Sequence, residues 1–188
     1  MGPMAHQHEA TPEWTIYKSP LGPLTIVAGT AGIRNVHFPD RAPKLGGAGR
    51  GGMRSAIEQL EQYFAGERQT FELELDLCGT PFQERVWAEL REIPFGSTTT
   101  YGELARRVDD SLFPEGIEPY ERARLIGATV GRTPTPIFVP CHRVIGADGS
   151  LTGYGGGLQR KRALLDLEGA PYGTKPAAKP VQHQLAML

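Results

Sequence analysis

Ile137-Phe138-Val139-Pro140-Cys141-His142-Arg143-Val144-Ile145 sets three polar, reactive side chains inside an apolar run. A buried strand would account for the flanks but not for the middle. The only other cysteine in the chain is Cys78, which excludes a four-cysteine zinc site and argues against a disulfide framework. Cys141 therefore reads as a nucleophile, because the thiolate is the reactive form and a nearby imidazole, guanidinium or helix dipole favours it. The plain alternative is a small cysteine in a core strand, a common fate of a free thiol. An extended segment would send neighbouring side chains to opposite faces, so water would have to link Cys141 to His142. Pro140 fixes its own φ and stiffens the backbone ahead of the thiol.

The 188 residues are 39% hydrophobic, enough for one domain or two small ones. No stretch approaches the ~20 apolar residues of a membrane span, and the opening residues have neither the basic nor the apolar part of a signal peptide. With no disulfide partner, a nucleophilic thiol suits a reducing, cytoplasmic setting. The net charge of -1 does not suggest a nucleic-acid binder. From Glu121 to Arg162, however, seven basic residues (Arg122, Arg124, Arg132, Arg143, Arg160, Lys161, Arg162) face two acidic ones (Glu121, Asp148), a local balance of 7 - 2 = +5. Clustered charge is what phosphate contacts sense, although a solvated surface also carries arginines.

Residues 1–12 have little to bury and are expected to be flexible, as is the Pro/Ala/Lys/Gln-rich tail 171–188. Three short β-rich runs over 14–38, split by Gly and Pro, predict an antiparallel meander. His37 in the third run reads as a strand residue, since no ligand partners recur at metal spacing. A glycine-rich loop over 39–52 precedes a helix over 53–65, and Phe71 to Leu77 alternates as a half-exposed strand does. Cys78, with no histidine beside it, is read as structural or incidental. At Thr80-Pro81 the period changes: Thr80 is a good N-cap, Pro81 suits the first helical position, and Phe82, Val86, Trp87 and Leu90 share a face. These signals predict an α+β chain, with a sheet-plus-helix domain over 13–79 and a mainly helical domain over 80–170. Within the second, Thr100 to Val108 and Glu121 to Gly131 read as two short helices, compatible with a helix-turn-helix or an ordinary helical pair.

Pro140-Cys141-His142-Arg143-Val144-Ile145-Gly146 followed by Leu151-Thr152-Gly153-Tyr154-Gly155-Gly156-Gly157-Leu158 resembles the active-site signature of the O6-alkylguanine-DNA alkyltransferases, also called methylated-DNA–protein-cysteine methyltransferases. The likeness runs from roughly Thr80 to Gly169 and is weaker in the N-terminal third. It implies a helix-turn-helix, an active-site strand or loop, and a single-turnover repair reaction on double-stranded DNA carrying O6-alkylguanine, with O4-alkylthymine as a second lesion to test. No cofactor is implied. The zinc that some members hold near the N-terminus is not expected without cysteines there. A monomer in solution is expected, with cooperative assembly on DNA left open.

By the same resemblance, Arg124 matches the arginine that fills the space of the extruded base. Ala123, Gly127 and Ala128 are the small residues of a helix that approaches the minor groove, or of one that packs closely. Tyr101 matches the proton donor to guanine N3. The carbonyls of Cys141 and Val144 would take the exocyclic amine, the Gly155 N–H would face O6, and Tyr154 would wall the pocket. Glu168 would complete a Cys–water–His–Glu relay with His142. Three departures stand out. The connector Asp109 to Tyr120 is long, and it either reshapes the DNA contact or bulges into solvent. Thr133 stands where an asparagine is usual, which implies a looser hinge. Leu167 and Ala163 replace a histidine and a tryptophan. Against the repair enzyme stand a non-catalytic damage sensor of the same fold, a cysteine hydrolase, and a helix-turn-helix regulator. The last two lack, respectively, a nucleophile elbow before Cys141 and a use for a Cys-His-Glu set.

Overall fold

The computed structural model describes residues 13–45 and 53–173. The two terminal segments expected to be flexible (1–12 and most of 171–188), and much of the glycine-rich loop, lie outside the described residues.

β1 (Trp14–Ser19), β2 (Gly22–Ala28) and β3 (Ile33–His37) form an antiparallel sheet in the order β1-β2-β3, the predicted meander. Ser19 closes the first hairpin, its hydroxyl donating to the Gly22 carbonyl at 2.6 Å and accepting from the Leu21 N–H. α1 (Arg54–Phe64) covers one face with Ala56, Leu60, Tyr63 and Phe64. Phe71 to Leu77 keeps its alternating exposure but is not a full strand. Among the described residues its one β-bridge is made by Ile33, whose N–H donates to the Glu74 carbonyl and whose carbonyl accepts from the Asp76 N–H, both at 2.9 Å. The edge of β3 has a second tenant, because the Val36 N–H donates to the Pro134 carbonyl at 2.9 Å. Residues close to the candidate nucleophile are thus stitched directly to the N-terminal sheet.

α2 (Pro81–Arg91) starts at a complete capping box between Thr80 and Gln83, and α3 (Tyr101–Arg107) at another between Thr100 and Glu103. These reciprocal bonds satisfy donors that each helix start leaves over. α4 (Pro119–Val130) packs on α3, giving the expected helical pair. The long connector is mostly exposed but is anchored to the core at one point. A 3₁₀ turn over Asp110–Leu112 leads into Phe113, which is buried against Phe82 of α2 with ring centroids 5.3 Å apart. Arg122 of α4 clamps it, ion-paired to Asp110 and lying 4.9 Å above the Phe113 ring. Residues 114–117 then form one wall of a groove whose other wall includes Arg124, Leu125 and Ala128.

A two-stranded parallel ladder, β4 (Thr99–Thr100) with β5 (Val144–Ile145), and a final helix α5 (Leu158–Glu168) complete the fold. Two large hydrophobic clusters hold it together, with a small third one of Ile145, Leu165 and Ala170. One joins the sheet and α1 to Ile137, Phe138, Leu164 and Leu167; the other joins α2, α3 and α4 to Val139, Cys141 and Val144. The stretch 137–145 therefore runs between them, and burial on all sides gives it the apolar look of a strand. Up to Arg143 it is instead a chain of turns, and only Val144–Ile145 is strand. Ile137 has φ +80°, the Val139 N–H bonds to the Thr135 carbonyl, and Cys141–Arg143 is a 3₁₀ turn. Such a φ is costly for a β-branched side chain, and the packing of both clusters fixes it. The thiol therefore does not sit in extended backbone, and the condition under which alternation would separate Cys141 from His142 is not met.

Candidate active site

Cys141, 3% exposed, lies in the wall of a cavity of about 340 Å³. Thr133, Tyr154 and Gly155 line the same space, and so do Asn35, His37, Phe38 and Arg41 from the N-terminal half. His37 is the strand residue expected, but it also faces this cavity, a placement no local pattern signals. Gly156 has a steric reason to be glycine, since a Cβ there would collide with the Phe38 ring. Among the described residues no group of three or more His, Cys, Asp or Glu could hold a metal.

The 3₁₀ turn carries Cys141 and His142 together, and α5 brings Glu168 to them. His142 Nε2 lies 2.8 Å from Glu168 Oε1, with both side chains fully buried. The imidazole's other nitrogen, Nδ1, is buried without a hydrogen-bond partner among the described residues. Arg143 grips the same carboxylate with two bonds of 2.8 Å and donates to the Ile93 carbonyl. Tyr63 adds a further donor at 2.7 Å. Burial alone would penalise the Glu168 charge, but His142 and Arg143 overcome it and hold the carboxyl at about 2. Burial in turn pushes His142 below the ordinary histidine value against the pull of Glu168, so the resting imidazole is neutral. The same burial pushes the Cys141 thiol up to about 11, with the Thr133 hydroxyl and the Lys161 ammonium pulling back. The resting sulfur is thus a protonated thiol beside a free base.

Thr133 makes a local bond. Its hydroxyl donates to the Val130 carbonyl at 2.8 Å, tying the last turn of α4 to the cavity wall. Lys161, counted as surface charge from the sequence, is fully buried and donates to the carbonyls of Val144, Thr152 and Gly153 at 2.5, 2.6 and 3.2 Å. The Val144 carbonyl, expected to receive substrate, already serves this ammonium and keeps one lone pair free. The local excess of base shrinks accordingly. Arg143 and Lys161 are inside, Arg122 and Arg160 are paired with Asp110 and Asp40, and Arg124, Arg132 and Arg162 are exposed.

Tyr101 begins α3, and its phenol donates to the Thr152 and Gly153 carbonyls at 3.1 and 3.4 Å. It does not line the cavity, but its ring lies over Gly127 of α4, where a Cβ would meet it at 3.6 Å. Gly127 therefore packs two helices together, while Ala128 and Arg124 are exposed and Ala123 is half-buried. Asp166, the neighbour that could be mistaken for the relay acid, accepts from the Tyr172 phenol at 2.9 Å.

The sequence matches two family models, "6-O-methylguanine DNA methyltransferase, ribonuclease-like domain" over residues 13–77 and "6-O-methylguanine DNA methyltransferase, DNA binding domain" over 81–170. A methylated-DNA–protein-cysteine methyltransferase of Mycobacterium leprae is 45% identical over 154 residues, 80% of this chain and 88% of the relative. One of Methanosarcina acetivorans is 40% identical over 162 residues, 84% and 98% of the two chains. Among solved structures, Mycobacterium tuberculosis OGT in complex with DNA superposes with a TM-score of 0.72 at 44% identity, covering 85% of this chain and 95% of that one. The buried Cys-His-Glu set on the 3₁₀ turn and α5, and these matches across both halves, make the chain a member of the methylated-DNA–protein-cysteine methyltransferase family.

Proposed function

We propose that this protein repairs DNA by moving an alkyl group from O6 of guanine onto Cys141, once per molecule. The observation that carries the reading is a thiol in the wall of a cavity, one residue from an imidazole whose far side is locked to a buried carboxylate. The alkyl carbon on O6 faces the pairing edge, so the nucleotide must leave the duplex, at a cost of a few kcal/mol. Arg124, exposed on α4, takes the vacated place in the stack. As the S–C bond forms and the O6–C bond breaks, the thiol proton passes through water to His142 Nδ1, and Glu168 stabilises the imidazolium. The guanine anion is protonated at N3 by Tyr101, which must first release the Thr152 carbonyl. Exchange with solvent then takes the proton from His142 and restores the Tyr101 phenol, but the thioether has no route back.

Titrating alkylated duplex with protein should stop near one alkyl group per chain. Intact mass should show the adduct on the wild type and none on Cys141→Ser; sustained turnover would refute the reading. A non-catalytic damage binder has no use for this thiol, so the placement of Cys141 favours the transferase. The buried imidazole also gives a pH expectation. Because His142 titrates below the usual 6.5, it stays a competent base as pH falls through that value. Benzyl transfer from free O6-benzylguanine should therefore hold its rate from pH 7.5 through 6.5 and decline only further down; a loss centred on 6.5 would count against a buried base.

A further inference from the structure

Glu168 is held from the N-terminal half as well as from its own. Tyr63, on α1, is 0% exposed, and its phenol donates to Glu168 Oε1 at 2.7 Å. That oxygen is the one 2.8 Å from His142 Nε2, and it also receives Arg143 Nη2. Oε2 is served separately, by Arg143 Nε at 2.8 Å and the Gly96 N–H at 3.4 Å. An oxygen shared among three donors divides its charge among them, so removing one leaves more for the others. Phe64, Phe71 and Phe95 surround the Tyr63 ring, with centroids at 5.3, 5.2 and 6.1 Å, and they fix where its hydroxyl points.

We infer, building on the alkyltransferase reading, that Tyr63 is a positioning residue of the relay: its phenol shares Glu168 Oε1 with His142 and so sets how strongly the carboxylate draws a proton onto the imidazole. The sheet-bearing half thereby takes part in the chemistry without touching the alkyl group. The charged and titratable groups facing His142 are Glu168 and Lys161 from α5 and Arg143 beside it. Those coupled to Glu168 add Tyr63 from α1 and Tyr154 from the glycine-rich segment. Tyr63→Phe removes one hydroxyl from this group and no charge.

The test compares the wild type, Tyr63→Phe, and protein carrying 3-fluorotyrosine at position 63, whose phenol is a stronger donor. Rates of benzyl transfer from O6-benzylguanine are followed from pH 4.5 to 8. Losing the donor returns charge to His142, so the acid limb of Tyr63→Phe should move up by roughly half to one pH unit; fluorotyrosine should move it down. A purely structural role would lower the melting temperature of the Phe variant and leave the limb in place. Superimposable limbs, or shifts of the same sign in both proteins, would overturn the inference. If Tyr63→Phe does not fold, the fluorotyrosine protein decides alone, since it keeps the hydroxyl. NMR titration of the His142 ring reads the same coupling without chemistry. Opposed shifts there in a protein that takes up no benzyl group would sink the alkyltransferase reading and leave the Tyr63 coupling standing, and unmoved shifts would sink the coupling.

Discussion

Glu168→Gln is expected to unfold the protein far more easily and to stop the chemistry, and the two losses can be separated. The carboxylate is 1% exposed and answers Arg143, His142 and Tyr63 together. Replacing it by an amide leaves the Arg143 guanidinium buried without a counter-charge, a class of change that costs ~3–5 kcal/mol. For a chain of this size that is a fall of roughly 10 °C in melting temperature. The pH dependence has a defined sign. Glu168 is held at about 2 against an ordinary 4.5, so its stabilising share is complete above 4.5 and is lost as pH falls from there towards 2. The gap between wild type and variant should narrow over that window. Alkyl transfer, measured well below the lowered melting temperature, should drop about 100-fold or more, the usual weight of a general-base system. The double variant Glu168→Gln, Arg143→Met removes the stranded charge as well. It should recover over half of the lost stability and none of the rate. Recovery of both would mean that Glu168 is a structural ion-pair partner only.

The helix starts were readable because their signals are local. Thr80-Pro81 with Gln83, and Thr100 with Glu103, announce caps within four residues, and both capping boxes form. The shape of the reactive stretch was not legible for a physical reason. Two cores bury 137–145 from both sides, which leaves an unbroken apolar run like that of a central strand, while Pro136, Pro140 and the φ of Ile137 break the backbone into turns. Charge inside the protein was the least legible feature. Arg143 and Lys161 count as surface base in any tally of the sequence, yet the helical period already placed Lys161 on the face of Leu164, Leu165 and Glu168. A lysine on an apolar face is the signal that could have been heeded. Tyr63 and Glu168 stand 105 residues apart and meet only through tertiary packing, so no window on the sequence joins them. The Asn35, His37 and Arg41 contribution to the cavity was hidden for the same reason.

Arg124→Ala is expected to split transfer from free O6-benzylguanine from repair of alkylated duplex. Arg124 is exposed on α4 and does not line the cavity that holds Cys141. Free O6-benzylguanine enters that cavity without leaving a duplex, so its reaction should stay within about twofold of wild type. Under the role proposed for it, the arginine would offset the unstacking of the extruded nucleotide, and stacked contacts of this kind are worth ~1–3 kcal/mol. Repair of alkylated duplex at limiting protein should therefore slow by roughly 10- to 100-fold. Losing the cation should also flatten the salt dependence of binding, by about one unit of slope if Arg124 displaces a phosphate counterion and by less if it acts wholly within the stack. Arg124→Lys separates these contributions, because an ammonium keeps the charge but not the planar surface. It should restore the salt slope and little of the repair rate. Equal losses on free base and duplex would place Arg124 in the fold of the cavity instead, and full repair by Arg124→Ala would remove it from base extrusion altogether.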